Sequence, residues 1–138
     1  MTGLILDASV ALAWCFHDEA TAESEAVLDR LLKNFAVVPV IWPLEMANNL
    51  TAAERSRRIT AATTTEFVGR LQTLDIRLDE AWGIRSLPER VAFVRTNGLT
   101  SYDVAYLELA MRSGLPLATR DRALATAARR NGVAVIRC

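Results

Sequence analysis

The chain has 138 residues, of which 51% are hydrophobic, and its 16 basic residues balance 16 acidic ones. This length fits a single domain over residues 1–138, and this composition excludes a disordered chain. The neutral balance excludes nucleic-acid binding through overall charge, so any such site must be a local patch. Lys33 is the only lysine, which excludes mechanisms that need a lysine at a set place.

The two cysteines, Cys15 and Cys138, are far apart and belong to no CxxC or Cys/His pattern. Such usage is typical of a reduced protein without a disulfide framework. No apolar run approaches the length of about 18 residues that a membrane-spanning helix needs, and the N-terminus has no signal-peptide pattern. We therefore expect a soluble cytoplasmic protein with no membrane partner.

Short apolar runs separated by longer stretches with helical spacing organise the chain. Four runs predict β-strands, and a fifth run, 75–78, is a weaker candidate; the four are 3–7, 36–40, 115–119 and 133–136. Strands that alternate with helices, and that are apolar throughout, are typical of parallel sheets covered on both faces. The pattern predicts a three-layer α/β/α fold with a mainly parallel central sheet of four to five strands.

Capping residues predict where several helices begin and end. Pro43 marks the start of a helix after the second strand, where its missing N–H is tolerated. Thr100 or Ser101 is expected to cap a helix that runs to about Arg112, and Gly114 to end it. This helix therefore leads directly into the strand at 115–119.

The remaining helices are predicted less completely. Asn131 and Gly132 are expected to close a helix before the last strand. The stretch 79–97 predicts one or two helices interrupted near Gly83 and Pro88. No functional motif is assigned to this stretch.

Four acidic residues are expected at one edge of the predicted sheet. Asp7 ends the first strand, and Asp121 follows the strand at 115–119. Glu45 is expected in the first turn of the helix after the second strand. Asp103 lies near the start of a helix whose far end feeds the next strand, so its start returns to the same edge. Ligands of open α/β sheets bind at the carboxyl ends of strands, which is this edge.

Four neighbouring carboxylates need compensation, and that need predicts a metal ion. Two carboxylates about 4 Å apart repel by roughly 4 kcal/mol at an effective dielectric constant near 20. Oxygen ligands without His or Cys favour Mg²⁺ or Mn²⁺, which activate water and neutralise phosphate oxygens in phosphodiester hydrolysis. Ser9 and Thr119 are expected to support this site through hydrogen bonds. Any one of the acids alone is more often a helix-start or surface residue than a catalytic one, and the expectation rests on all four mapping to one edge.

Four motifs in order along the chain carry a resemblance to a known family. They are LDASVALAW at 6–14, PLEMAN at 43–48, TSYDVAYLELA at 100–110 and LATRDRAL at 117–124. With these motifs the chain resembles the PIN-domain nucleases, in particular the single-domain VapC-type toxins of bacterial toxin–antitoxin pairs. The resemblance spans nearly the whole chain and leaves no room for a second domain.

The resemblance implies a function and a set of site residues. The acidic metal-site residues of the family correspond to Asp7, Glu45, Asp103 and Asp121, and its two supporting hydroxyls to Ser9 and Thr119. It further implies a Mg²⁺- or Mn²⁺-dependent endoribonuclease with an RNA substrate. Homodimerisation and inhibition by a small antitoxin, laid along a groove leading to the acidic site, are implied as well.

Two groups of arginines have alternative interpretations. Arg120 and Arg122 flank Asp121, where they either contact RNA or neutralise the acidic cluster in the free protein. Arg55, Arg57 and Arg58 end the helix that carries Glu45. They either bind phosphates or form a solvated helix C-terminus. The second interpretation is favoured, because basic residues are stabilising near a helix C-terminus.

Large aromatic residues near expected helix ends are interpreted as core residues. They are Trp14, Phe16 and Trp42. His17, the only histidine, lies in a polar turn and is expected on the surface. Histidine general-base chemistry is therefore not supported.

Other function classes fit the sequence less well or remain open. Phosphotransfer receivers and haloacid-dehalogenase-like phosphatases use a strand-end Asp helped by a lysine, and Lys33 is in the wrong place for that role. The second of these classes also needs an Asp two residues after Asp7, where this chain has Ser9. A catalytically silent PIN-like binding module and a housekeeping RNA-processing nuclease remain alternatives.

Overall fold

The structure is a computed structural model that describes residues 2–138. In this range five strands alternate with seven α-helices. In chain order they are β1 Leu4–Leu6, α1 Ala8–Cys15, α2 Ala22–Leu31, β2 Ala36–Pro39, α3 Ile41–Arg55, α4 Ala61–Leu71, β3 Ile76–Asp79, α5 Leu87–Asn97, α6 Ser101–Ser113, β4 Leu117–Thr119, α7 Arg122–Arg130 and β5 Val135–Arg137. Short 3₁₀ turns lie at His17–Glu19 and Ile84–Ser86.

The five strands form one parallel sheet in the order β3-β2-β1-β4-β5. Leu4 lies opposite Ala36 of β2, and Ile5 lies opposite Leu117 of β4. Helices cover both faces of the sheet, so the predicted three-layer α/β/α fold is confirmed. The weakly predicted run at 75–78 forms the edge strand β3.

Strand β1 occupies the centre of the sheet and of the core. Its residues Leu4, Ile5 and Leu6 are completely buried. The chain first builds β1, β2 and β3 outward in one direction and then returns to add β4 and β5 on the other side. The strand order therefore reverses between β1 and β4, and such a reversal opens a crevice at the carboxyl ends of the two strands.

Local sequence features explain how β1 and α6 are set. A Cβ atom on Gly3 would lie 2.3 Å from Cε2 of the Phe35 ring, so any other residue before β1 would require that ring to shift. The Thr100 hydroxyl accepts a hydrogen bond from the N–H of Asp103 and caps α6. Gly114 ends this helix in the left-handed region at φ 69°, as expected for a residue without a Cβ. The predicted bounds of α6 are confirmed, with Thr100 as the capping residue.

Four predicted boundaries need correction. Helix α3 begins at Ile41, so Pro43 is its third residue, and its first turn contains no acid. Glu45, the fifth residue, therefore lies in the second turn. Pro43 is tolerated as the third residue because the first amides of a helix have no carbonyl partner within it. Pro88 lies in the first turn of α5 and does not interrupt it. Strands β4 and β5 start at Leu117 and Val135, and each start is two residues later than predicted.

The stretch 79–97 is fastened to α6 by ion pairs. Arg112 bonds Asp79 at 2.8 Å and Glu108 at 2.7 Å. Arg90 of α5 also pairs with Glu108 and lies over the ring of Trp82. This network gives the stretch a structural role in packing α5 against α6.

The large aromatic residues near helix ends lie in the core, and the single histidine lies on the surface. Trp14, Phe16 and Trp42 are buried, and the indole N–H of Trp14 donates to the carbonyl of Ser24 at 2.8 Å. The core interpretation is therefore confirmed, and His17 is exposed as predicted. Within residues 2–138, no helix combines the length and the apolar character needed to cross a bilayer.

Candidate active site

Four acidic residues from four different helices lie near the crevice between β1 and β4. Asp7 follows β1 and is the N-cap residue of α1, and Asp121 follows β4 and is the N-cap residue of α7. Asp103 lies in the first turn of α6. Glu45 lies in the second turn of α3, which follows β2.

Mutual repulsion shows that these acids form one cluster. Asp7 is repelled by Asp121, Glu45 by Asp7 and Asp103, and Asp103 by Asp121 and Asp7. Each of the four carboxylates therefore interacts with at least two others, and Asp7 and Asp103 interact with all three. Asp7 and Asp103 are thus the central members, with Glu45 and Asp121 on either side.

Asp7 is the most deeply buried of the four, with a relative exposure of 6%. Burial raises the pKa of its carboxyl, and the negative charge of Asp121 adds to the rise. Hydrogen bonds from Thr119 and Ser9 oppose it without cancelling it. Ionisation of this buried carboxyl costs free energy, and a nearby cation would offset that cost.

Glu45 and Asp103 are half-buried, and the pKa of each is raised as that of Asp7 is. Burial raises the pKa of Glu45, and so do the charges of Asp7 and Asp103, against a hydrogen bond from Tyr106. Burial also raises the pKa of Asp103, with further contributions from Asp121 and Asp7. Three neighbouring carboxyls with raised pKa values mark a strained electrostatic site.

Two hydroxyl groups fix the Asp7 carboxylate. Ser9 Oγ donates to Asp7 Oδ2 at 2.8 Å, and Thr119 Oγ1 donates to the same oxygen at 2.7 Å. Each hydroxyl also accepts a backbone N–H, Ser9 from Arg120 at 3.3 Å and Thr119 from Asp121 at 3.0 Å. The ends of β1 and β4 are thus tied together through one carboxylate oxygen.

Asp121 has a capping contact besides its place in the cluster. Its Oδ1 accepts the N–H of Leu124 at 3.0 Å and so caps α7. This contact leaves the other carboxylate oxygen, Oδ2, available for a further interaction. The capping role alone would explain an Asp here, but it would not explain the three other acids beside it.

Tyr106 is a site residue that sequence reasoning missed. Its hydroxyl donates to Glu45 Oε1 at 2.6 Å and accepts the N–H of Ala8 at 3.3 Å. Burial and the charges of Asp7 and Glu45 raise its pKa far above the usual range, so the hydroxyl stays protonated. The available signal was its position, three residues after Asp103 on the same helix face.

Arg120 does not neutralise the acidic cluster. It pairs instead with Glu19 at 2.7 Å, which also pairs with Arg58. Arg122 is exposed at the start of α7, beside the cluster. Of the arginines expected at the end of α3, only Arg55 belongs to the helix, and Arg58 is occupied by Asp18, Glu19 and the Phe16 ring.

The residues present fit a divalent cation by their chemistry. Across residues 2–138, no arginine, lysine or histidine pairs with any of the four acids. Their side-chain partners are hydroxyl groups, so the cluster offers only oxygen donors and a large uncompensated negative charge. Oxygen-only donor sets favour Mg²⁺ or Mn²⁺.

The acids are not arranged as a ready-made coordination shell. In the part of the chain that the structure describes, no three His, Cys, Asp or Glu side chains are grouped closely enough to hold a metal ion. The expected four-acid centre is therefore a neighbourhood of carboxylates and hydroxyls, and its ligand geometry is not preformed.

An apolar cleft lies elsewhere in the structure. It has a volume of about 600 Å³ and is lined mainly by apolar residues of α3, α4, β2 and β3, including none of the four acids. The cluster is recognised by its charge and its position in the sheet. It is not recognised by the depth of a pocket.

The model of the PIN domain family matches residues 4–130. No curated protein matches the chain by sequence.

Several solved structures are similar in fold. PAE2754 from Pyrobaculum aerophilum superposes with a TM-score of 0.72 at 23% identity, covering 98% of this chain and 91% of that one. VapBC2 from Rickettsia felis, bound to a DNA fragment from its promoter, gives 0.66 at 11% identity, covering 97% of each chain. FitAcB from Neisseria gonorrhoeae gives 0.63 at 17% identity, covering 96% of each chain. At these identities the likeness concerns the fold.

Proposed function

The chain belongs to the PIN-domain family, whose members are generally nucleases, and we propose that it is a Mg²⁺- or Mn²⁺-dependent endoribonuclease. The observation that carries this proposal is the cluster of Asp7, Glu45, Asp103 and Asp121 without a basic partner among residues 2–138. A cation is the simplest compensation for such a cluster. RNA as the substrate is supported by the motif resemblance to VapC-type toxins.

Each acid has a proposed role. Asp7, Asp103 and Asp121 hold the essential ion, and Glu45 completes its ligand set or orients the attacking water. Bound there, the ion supplies Lewis acidity and neutralises the charge that develops on the phosphate oxygens. Ser9 and Thr119 hold Asp7 in position through the hydrogen bonds to its Oδ2.

Substrate contacts are proposed for the two arginines beside the cluster. Arg122 is exposed next to Asp121 and can meet a phosphate directly. Arg120 is held by Glu19, so a phosphate must compete with that carboxylate for its guanidinium group. Arg122 is therefore the stronger candidate of the two.

The biological role proposed is that of a toxin in a toxin–antitoxin pair. Two of the similar structures, VapBC2 and FitAcB, support this role through their fold, and the motif resemblance points the same way. A small antitoxin protein and a second copy of this chain are the proposed partners. A short reading frame next to the gene, encoding a DNA-binding protein, is the corresponding genomic expectation.

The decisive experiment joins metal binding with cleavage. Wild type and Asp7→Asn are titrated with Mn²⁺ by calorimetry, and both are incubated with total RNA in Mg²⁺, Mn²⁺ or EDTA. Asp29→Asn, a change at an exposed aspartate of α2, is the matched control. Wild type and the control should bind Mn²⁺ and cut RNA only with divalent ions, while Asp7→Asn does neither.

The alternatives give different results. A binding module with an inactive PIN fold would take up no Mn²⁺ and leave RNA intact. A housekeeping nuclease would cut RNA but would not arrest growth on induced expression. Mapping RNA 5′ ends after induction of wild type and Asp7→Asn would identify the cleaved RNA.

A further inference from the structure

Tyr106 joins three parts of the candidate site through one hydroxyl group. It lies in the middle of α6 and is completely buried. Its hydroxyl donates to Glu45 of α3 at 2.6 Å and accepts the N–H of Ala8, the residue after Asp7, at 3.3 Å. The same helix carries Asp103 one turn earlier. Helices α1, α3 and α6 therefore meet at this oxygen.

Core packing alone does not account for a tyrosine at this position. A buried phenol hydroxyl is costly unless it is hydrogen-bonded, whereas phenylalanine would fill nearly the same volume without that requirement. Both partners of the hydroxyl belong to the candidate site or adjoin it. The hydroxyl is thus directed at the acidic cluster and not at the apolar core.

Glu45 depends on this contact. In the described residues, the bond from Tyr106 is the only hydrogen bond that the Glu45 carboxylate accepts. Glutamate has several rotatable bonds, and repulsion by Asp7 and Asp103 drives its charge away from the cluster. A donor on the cluster side opposes that movement and fixes the carboxylate beside its neighbours.

We propose that Tyr106 is a positioning residue that holds the Glu45 carboxylate toward Asp7 and Asp103, so that the acids form one divalent-cation site. The inference rests on the proposed function, because it concerns the same cluster. Tyr106 acts through Glu45 and does not touch the substrate. Its effect is therefore on the affinity for the ion and on the orientation of Glu45.

The first test compares the two tyrosines of the chain, which both lie on α6. Tyr106→Phe removes the buried hydroxyl, and Tyr102→Phe removes one from a side chain that is 60% exposed. Mn²⁺ affinity, measured by calorimetry without RNA, should fall roughly 10- to 100-fold in Tyr106→Phe and stay unchanged in Tyr102→Phe. Equal affinities in the two variants would overturn the inference.

A double-mutant cycle separates positioning from a general structural effect. In a Glu45→Ala background, Tyr106→Phe should change Mn²⁺ affinity by less than about twofold, because its target is absent. An undiminished loss in that background would mean that Tyr106 acts through the Ala8 amide or the core, and would refute the proposal.

A second variant keeps the test valid if Tyr106→Phe does not fold. Glu45→Asp retains the charge but withdraws the carboxylate from Tyr106, so its Mn²⁺ affinity should fall as well. Wild-type affinity in Glu45→Asp would overturn the inference. Failure of wild type itself to bind Mn²⁺ would instead reject the proposed function, so the two failures are distinguishable.

Discussion

Thr119 donates a hydrogen bond of 2.7 Å to Oδ2 of Asp7, although the two residues are 112 positions apart in the chain. Thr119 is completely buried, and its hydroxyl also accepts the N–H of Asp121. One side chain therefore sets the position of two of the four acids. It does so at the reversal point of the sheet, where β1 and β4 are neighbours.

Replacing this hydroxyl by a methyl group tests its importance. Thr119→Val keeps the shape of the side chain but leaves the N–H of Asp121 and Oδ2 of Asp7 short of a partner. We expect a loss of about 1–3 kcal/mol in the free energy of unfolding and roughly 10- to 100-fold weaker Mn²⁺ binding. Urea denaturation and calorimetry measure the two effects. Thr119→Ser, which retains the hydroxyl, should resemble wild type; a valine variant that also does so would show that the contact is dispensable.

Asp7→Asn should stabilise the metal-free protein while it abolishes cleavage. Burial, with help from Asp121, raises the pKa of Asp7 in the folded state. The folded protein thus holds this proton more tightly than the unfolded chain, so stability is lost as the pH rises from about 3.9, the ordinary value, through the raised one. Asparagine carries no charge and avoids that loss.

Urea denaturation in EDTA between about pH 4 and pH 7 measures this difference. The advantage of Asp7→Asn over wild type should grow toward neutral pH, and cleavage should fall by more than roughly 100-fold. Asp29→Asn should change neither quantity. A variant that is less stable than wild type throughout this range would contradict the electrostatic account of the cluster.

Arg122→Ala should weaken RNA binding without affecting the fold. Arg122 is exposed beside Asp121. Loss of a single phosphate contact makes the slope of log affinity against log salt shallower by about 1. Binding of a short RNA to the Asp7→Asn background, measured at several salt concentrations, gives that slope. Arg129→Ala, at the other end of α7, is the control, and identical slopes in the two variants would remove Arg122 from the RNA surface.

Arg112→Met should destabilise the protein in a pH-dependent way that is independent of metal. Burial favours the neutral forms of Glu108 and Asp79, but the hydrogen bonds and positive charges of Arg112 and Arg90 together outweigh it and lower the pKa of both carboxyls. The two ionised carboxyls contribute to the free energy of unfolding above the ordinary pKa near 4, and this contribution is lost as the pH falls through their lowered pKa values. The expected cost at neutral pH is about 1–2 kcal/mol, because Arg112 is partly exposed and therefore screened.

Urea denaturation of Arg112→Met at neutral pH and below about pH 4 measures this cost. The difference from wild type should shrink at the lower pH. Arg95→Met, at an exposed position of α5, should have little effect at either pH. A destabilisation by Arg112→Met that does not change with pH would point to lost packing of the arginine stem instead of lost ion pairs.

Local patterns were sufficient to predict the presence of the five strands and the bounds of α6, because these features depend on neighbouring residues. The apolar run around β1 and the Thr100 and Gly114 caps of α6 were visible in the sequence. The same holds for the positions of Asp7 and Asp121 at strand ends, since a strand end is a local feature. The strand order was not predictable, because it depends on pairings such as that of Ile5 with Leu117.

The contacts that complete the site were missed for a related reason. Glu45 and Tyr106 are 61 residues apart, and Glu19 and Arg120 are 101 apart. No local pattern links such pairs, and a buried tyrosine in an apolar helix is most simply interpreted as core. The start of α3 was misplaced because Pro43 is compatible with any position in the first turn of a helix.

The reversal of strand order between β1 and β4 also has a consequence for synthesis of the protein. Asp7 is synthesised before β4 and the start of α7, and these later elements supply the residues that hold it and complete its surroundings. A nascent chain cannot assemble the cluster until translation has passed Leu124, whose N–H anchors Asp121. A chain that ends before Leu124 therefore lacks the complete set of contacts that bring Asp7 and Asp121 together.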